Sequence, residues 1–220
     1  MHVFFTSIRH FLAAGPLTGT DHHIAAWFGH HLSGWLVHLM LAFSQPGSAA
    51  CIAVVLSLLT AYLLWRRHWH RLVSLILIVP GGLLLNSAIK ILVHRHRPII
   101  PAPFPHWDGY SFPSGHTIGA TLLYGMILLA LLPLMRRRRW KALACGFGAL
   151  LVLLVGFSRI ALGAHYLTDV VGAVLLGSTW LGLCSAFLAV VARYRRPCPP
   201  AICRIEPEKE STELPPRKAA

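Results

Sequence analysis

Three short runs of this chain hold residues whose types and spacing could do chemistry. The first is Lys90-x6-Arg97-Pro98, the second Pro113-Ser114-Gly115-His116, and the third Ser158-Arg159-x5-His165-x3-Asp169. They supply three cations, two imidazoles, one carboxylate and a Ser-Gly turn. Converging cations can hold a phosphate dianion, and arginine can grip two of its oxygens at once. A neutral imidazole can attack phosphorus. The inventory suits holding a phosphate and moving it onto a histidine.

Each run has its own logic. Lys90 falls near the end of an apolar helix, and Arg97, seven residues on, shares its face if the helix continues. Pro98 pushes Arg97 out of helical geometry and ends the element. His94, Arg95 and His96 read as interfacial or loop residues. In the second run Pro113 closes a Pro-rich, aromatic loop, and Ser114 is a good helix N-cap. Gly115 lets the backbone approach a ligand closely, and the exposed N–H groups of the helix start favour an anion. His116, in the first turn, could then serve as general acid. An ordinary cap with an interfacial histidine is the competing reading.

In the third run His165 and Asp169 are four residues apart at a helix start, which sets a carboxylate beside an imidazole. Such a carboxylate fixes the tautomer and leaves the other nitrogen free to attack. Arg159, past a turn containing Gly163, could stabilise charge on a transferring phosphoryl group. The alternative is a structural His–Asp pair that pins two helix ends. A carboxylate at the start of an apolar span is costly without a partner, which favours function.

The elements that must position these residues are greasy helices. The chain is 55% hydrophobic and 12% charged. Apolar stretches at about 48–65, 72–93, 116–135, 140–157 and 167–192 are long enough to cross a hydrocarbon core of about 30 Å. We expect an all-α, polytopic membrane helical bundle with five to six transmembrane helices, its catalytic domain spanning 48–192. Residues 1–47 form a separate segment in this reading. Residues 3–14 are too short to span, and no signal-peptide cleavage pattern follows them. Residues 21–43 are apolar but interrupted by His22, His23, His30, His31 and His38. The helical recurrence of His23, His30 and His31, and of Trp27 and Trp35, fits an amphipathic helix at the interface. A sixth, poorly hydrophobic span is the rival.

Residues 193–220 begin basic and become rich in Pro, Glu and Lys, as a disordered cytoplasmic tail would. Cys51, Cys145 and Cys184 fall within spans and Cys198 and Cys203 in the tail, which gives neither a disulfide framework nor a metal site.

The net charge of +13 raises the question of nucleic acid, and its distribution answers no. Arg66, Arg67 and Arg71 share one interhelical loop, Arg136 to Arg139 and Lys141 another, and Arg193, Arg195 and Arg196 follow the last span. All fall on one side, which the positive-inside rule makes cytoplasmic. The three chemical runs fall on the other. Outside the tail the only acids are Asp21, Asp108 and Asp169, on that opposite side or in the N-terminal segment. The expected location is a bacterial inner membrane, multi-pass, with the site on the extracytoplasmic, periplasmic face. No residue pattern specifies an oligomeric state.

The three runs together resemble the signature of the type 2 phosphatidic acid phosphatase (PAP2) superfamily, K-x6-R-P, P-S-G-H and S-R-x5-H-x3-D, over roughly residues 45–192. The resemblance implies a six-helix membrane core, although residues before 21 leave little room for a normal first helix. It implies His165 as the nucleophile that forms a phosphohistidine, with Asp169 as its orienting partner. His116 would protonate the leaving group and then activate water. Lys90, Arg97, Ser114, Gly115 and Arg159 would cradle the phosphate. It implies no metal and no cofactor. Asp108 and Asp169 are too few carboxylates for a two-metal phosphatase. Vanadate-dependent haloperoxidases share the superfamily, and membrane embedding disfavours that branch.

The leading expectation is a metal-independent phosphatase acting on a lipid phosphate or diphosphate of the bilayer. Undecaprenyl diphosphate, phosphatidylglycerophosphate, phosphatidate and lipid A phosphates are all candidates. The loop 101–112, with Phe104, His106 and Trp107, would line the entrance. A phosphotransferase with a lipid hydroxyl as acceptor fits the same residues. A metal-binding or transport protein rests on the fourteen histidines. Few carboxylates or thiols accompany them, and no span carries the polar stripe a pathway requires.

Overall fold

The computed structural model describes residues 15–99 and 107–194. Among these, seven α-helices follow one another: α1 (Thr18–His31), α2 (Gly34–Ser44), α3 (Ala49–Trp65), α4 (Trp69–Val93), α5 (Gly115–Leu131), α6 (Arg138–Ala161) and α7 (Leu167–Tyr194). Five helical stretches are long and apolar enough to cross a membrane: Gly34–Trp65, Trp69–Val93, Gly115–Leu134, Arg138–Ala161 and Leu167–Tyr194. Four lie close to the stretches read from hydropathy. The first begins at Gly34 rather than near residue 48, because α2 is apolar apart from His38 and runs almost directly into α3. The join is a 3₁₀ turn at Gln45–Gly47, followed by Ser48, whose hydroxyl accepts from the Cys51 N–H and caps α3. The tail beyond 194 and residues 1–14 and 100–106, including Phe104 and His106, lie outside the described residues.

Helix α5 is central. Its Ile118, Leu122 and Leu123 are fully buried against Ile78 and Val79 of α4 and Ala173 of α7. The approach is close enough that a Cβ at Gly82 would fall 2.5 Å from Leu122 and 2.9 Å from Trp180, so only glycine fits. Near Pro80, where the helix ladder lacks an N–H, Trp180 Nε1 donates to the carbonyls of Leu77 (3.3 Å) and Ile78 (3.2 Å). Val54, Leu58, Leu84, Phe147, Leu153, Leu175 and Phe187 are exposed on the outside of the bundle, as lipid-facing residues are.

The connections between α3 and α7 are short apart from the one over 94–114, and successive helices alternate in direction. The ends bearing Arg66, Arg67 and Arg71, and Arg136 to Arg139, are solvent-exposed and lie opposite the ends that carry the three chemical runs. Residues 18–47 pack onto the bundle at the latter end. Val37 and Met40 of α2 meet Ala161 and Leu162 at the end of α6. Asp21 and Ala25 form the inward face of α1, while His22, His23, Trp27, His30 and His31 face outward.

Candidate active site

Four helix ends supply the site. Helix α4 stops at Val93: the His94 N–H still makes the last helical bond, to the Lys90 carbonyl (3.1 Å), and the left-handed conformation of His94 (φ +52°) turns the chain out of the helix. Residues 94–99 continue without helical structure. The helix does not continue to Arg97, so Lys90 and Arg97 do not share one helix face. They converge because the chain turns at His94. Lys90 Nζ donates to the Tyr110 carbonyl at 2.8 Å. Arg97 Nε donates to the carbonyls of Asp108 (3.1 Å) and Gly109 (3.2 Å), and Arg97 Nη1 to that of Ala164 (2.7 Å). The loop 107–114 is thus strapped down by the two cations of the first run.

Ser114 caps α5 with extended backbone, fully buried, and its N–H donates to the Asp169 carbonyl at 3.3 Å. Its hydroxyl accepts from Thr117 Oγ1 (3.0 Å) rather than from a backbone N–H of the first turn. Gly115 and His116 open the helix. His116 lies within electrostatic reach of Arg159, His165, Arg97 and Lys90, so the second run faces the first and third.

Helix α6 ends through Gly163 at φ +64°, and both Ala164 and His165 send their N–H groups back to the Arg159 carbonyl (3.0 and 3.3 Å). That cap fixes His165 between α6 and α7, where it is 2% exposed. Its Nε2 lies 3.3 Å from Arg97 Nη1, and its Nδ1 lies 3.6 Å from Asp169 Oδ2. Arginine has only donors, so Nε2 must present its lone pair and the proton must sit on Nδ1, toward the carboxylate. Burial pushes the His165 imidazole down to about 4. Asp169 opposes that shift, and the cations Arg97 and Lys90 add to it. The ring is neutral at physiological pH. Burial also lowers Arg97 from its ordinary value, against the opposing pull of Asp169 and Asp108.

Asp169 is fully buried. Its Oδ2 accepts from Ser111 Oγ and from the Tyr166 N–H (2.9 Å), and its Oδ1 accepts from Arg95 Nη1 at 2.6 Å. Arg95, which the sequence placed among interfacial or loop residues, is instead a core member, with a side chain 9% exposed. Its Nη2 reaches Asp21 Oδ2 of α1 at 2.9 Å, and its guanidinium lies 4.3 Å over the Tyr166 ring.

Arg159 is 2% exposed. Its Nη1 donates to Ser44 Oγ at 3.0 Å, and its guanidinium stacks 4.2 Å over the Trp107 ring. Its buried Nε finds no partner among the described residues.

The structure therefore brings Lys90, Arg97, Ser114, Gly115, His116, Arg159, His165 and Asp169 to one end of the bundle. Sequence reasoning missed Arg95, Asp21, Ser111 and Ser44. One signal was available. A carboxylate in an apolar segment demands a partner, and that held for Asp21 as much as for Asp169.

These features define a multi-pass helical membrane protein with cationic side chains gathered around a buried His–Asp pair. The family model of the PAP2 superfamily matches residues 71–193, and the chain belongs to that superfamily. A phosphatidylglycerophosphatase B of Bacillus subtilis is 31% identical over 166 residues, which cover 74% of this chain and 80% of the relative. The undecaprenyl-diphosphatase BcrC of the same organism is 35% identical over 100 residues, 44% of this chain and 47% of that protein. Among solved structures, the transmembrane PAP2-type phosphatidylglycerolphosphate phosphatase of Bacillus subtilis superposes with a TM-score of 0.74 at 27% identity, covering 88% of this chain and 96% of that one. Aquifex aeolicus LpxE shares the fold, with a TM-score of 0.54 at 21% identity. The chain is a membrane phosphatase of this superfamily.

Proposed function

We propose that this protein hydrolyses the terminal phosphate of a membrane lipid phosphate or diphosphate through a phosphohistidine on His165, without a metal. The carrying observation is the buried His165 itself. Its Nε2 lone pair faces the cationic wall at Arg97, and its Nδ1 faces Asp169. In the first step Nε2 attacks phosphorus, the bond from phosphorus to the lipid oxygen breaks, and His116 gives its proton to that oxygen. In the second step water attacks phosphorus, His116 takes the water proton, and the phosphorus–nitrogen bond breaks. Phosphate leaves and His165 returns to its neutral form. Lys90, Arg97 and Arg159 carry the charge on the phosphoryl oxygens, with the helix start at Ser114–Gly115. The substrate dianion is also the group that balances a protonated His116 among those cations.

A lipid substrate has support beside the chemistry. An apolar cavity of about 320 Å³, lined by Ala49, Ile52, Ala53, Leu56 and Leu83, ends at Gly115 and His116. A hydrocarbon chain lying there would deliver its phosphate to the cations. Phosphatidylglycerophosphate and undecaprenyl diphosphate head the candidates, since relatives are named for them. Phosphatidate and lipid A phosphates follow. The arginine-rich opposite end supports a periplasmic site in a bacterial inner membrane.

The test is phosphate release from a lipid panel by the detergent-purified chain in EDTA, compared with His165→Ala. EDTA-resistant release that vanishes in the variant is expected, and the panel ranks the substrates. Release abolished by EDTA, or retained by the variant, would overturn the reading. Transfer to an added lipid alcohol in excess of phosphate release would replace water with a hydroxyl acceptor.

A further inference from the structure

We propose that Arg95 and Asp21 are positioning residues, which tie helix α1 to the nucleophile through a buried chain, Asp21–Arg95–Asp169–His165. The proposal rests on His165 being that nucleophile. Arg95 is one of the unspecified positions of the first run, and Asp21 lies outside all three runs and outside the residues that the family model matches.

The geometry is specific at each joint. Arg95 Nη1 holds Asp169 Oδ1 at 2.6 Å and also reaches Thr168 Oγ1 at 2.7 Å. That grip commits one carboxylate oxygen and turns the other, Oδ2, toward Ser111, the Tyr166 N–H and His165 Nδ1. Arg95 is fixed in turn. Its Nη2 meets Asp21 Oδ2 at 2.9 Å, and the Tyr166 ring supports its guanidinium face. Asp21 does a second task. Its Oδ1 accepts from the Thr168 N–H (3.1 Å) and its Oδ2 from the Thr168 hydroxyl. Thr168 is the second residue of α7, so a carboxylate from α1 satisfies an N–H that the helix start leaves without an internal partner. One acid thus anchors both the arginine that orients Asp169 and the helix that carries it.

Charge gives the chain a sign. A guanidinium buried on Asp169 alone would draw the carboxylate away from the imidazole. Asp21 shares that positive charge, leaving Asp169 free to act on His165. His165 is faced by Lys90 of α4, Arg97 of the non-helical segment after it, His116 of α5, Arg159 of α6 and Asp169 of α7. Behind Asp169 stand Arg95, Asp21 and Tyr166, with His22 of α1 edge-on to the Tyr166 ring at 5.2 Å. Removing Asp21 makes this surrounding more positive, and removing Arg95 makes it more negative. The two changes must push His165 in opposite directions.

The experiment follows the His165 imidazole by NMR in full-length, 15N-histidine-labelled protein in detergent from about pH 2.5 to 7, with the resonance assigned by its loss in His165→Gln. Asp21→Asn should keep the ring neutral to lower pH than in the parent, and Arg95→Gln should raise its midpoint, each by roughly one unit. In both variants kcat should fall roughly 10- to 100-fold, with KM within about threefold, as a misaligned nucleophile requires. Arg95→Lys, which keeps the charge without the fork, should restore the midpoint and only part of kcat. Midpoints unmoved or moved in the same direction, or parental kcat per folded molecule, would overturn the proposal and leave α1 as an anchor only. A fully active His165→Ala would instead overturn the nucleophile reading, and the imidazole titration would still report on the chain.

Discussion

His165 has two unlike sides. On the side where the proposed mechanism brings the phosphate stand Lys90 at the end of α4, Arg97 in the segment after it and Arg159 at the end of α6. Lys90 and Arg97 hold backbone carbonyls of Asp108, Gly109, Tyr110 and Ala164, while the buried Nε of Arg159 has no partner among the described residues. On the other side both oxygens of Asp169 are committed, to Arg95 and to Ser111 with the Tyr166 N–H. The first side has donors that an arriving phosphate can recruit. The second is assembled beforehand. On the proposed mechanism, ground-state cost is placed where the substrate repays it, and orientation where no substrate is needed.

The strongest way to break this contrast is at its centre. His165→Ala should lower kcat about 10⁴-fold or more, and His116→Ala about 10²- to 10⁴-fold, by single-turnover phosphate release. The sides should then separate. Asp169→Asn should lower kcat about 10²- to 10⁴-fold with little change in KM, since it disturbs tautomer and orientation alone. Arg97→Ala removes charge-assisted bonds of about 1.5–3 kcal/mol each, so it should act on kcat/KM by roughly 10- to 100-fold and raise KM as well. If Asp169→Asn raised KM as much as Arg97→Ala does, the division between the sides would be lost.

Acid pH probes the same division. With His165 at about 4, below the ordinary value near 6.5, the ring stays neutral as pH falls through 6.5 and takes its proton only near 4. The acid limb of kcat/KM should therefore lie near pH 4, and the rate should fall about tenfold per unit below it. A proton donor at His116 requires a second, basic limb, to be looked for from pH 5 to 9. A flat profile across that range would remove His116 as the proton donor.

How much of this was legible follows from distance along the chain. The cation side lies in runs whose internal spacings span a few residues, and hydropathy located the helices that carry them. The third run set Asp169 beside His165 for the same reason. Arg95 sits inside the first run, yet its partners Asp21 and Asp169 are each 74 residues away in sequence. No local period encodes such a pair. The apolar stretch ended at 93 in the sequence, where α4 ends, but nothing in His94 announces the left-handed conformation that follows. The N-terminal segment was set apart because its histidines read as an interfacial face. Its function in the fold lies on the opposite face, at Asp21, where a single acid among apolar residues carried the signal.

Packing around His116 offers a smaller test. A Cβ at Gly47 would fall 2.7 Å from the His116 carbonyl and 2.6 Å from Val155. Gly47→Ala should destabilise by about 1–3 kcal/mol, read as a lowered Tm in detergent. Its kcat loss should exceed any change in the His165 titration, because the shift enters on the substrate side.

The smallest effect is expected at Trp107, and it decides what the 107–114 loop does. Its ring lies under Arg159 and its Nε1 donates to the Leu162 carbonyl at 3.3 Å, so it holds the arginine from below. Trp107→Leu removes a stacking contact of about 0.5–2 kcal/mol and should raise KM roughly 2- to 30-fold. If Trp107 serves only to hold Arg159, that rise is the same for every lipid in the panel, because each presents the same phosphate to the same cation. A rise confined to some head groups would place the indole at the entrance as a selector. Loss of kcat with unchanged KM would move Trp107, and Arg159 with it, to the orienting side of His165.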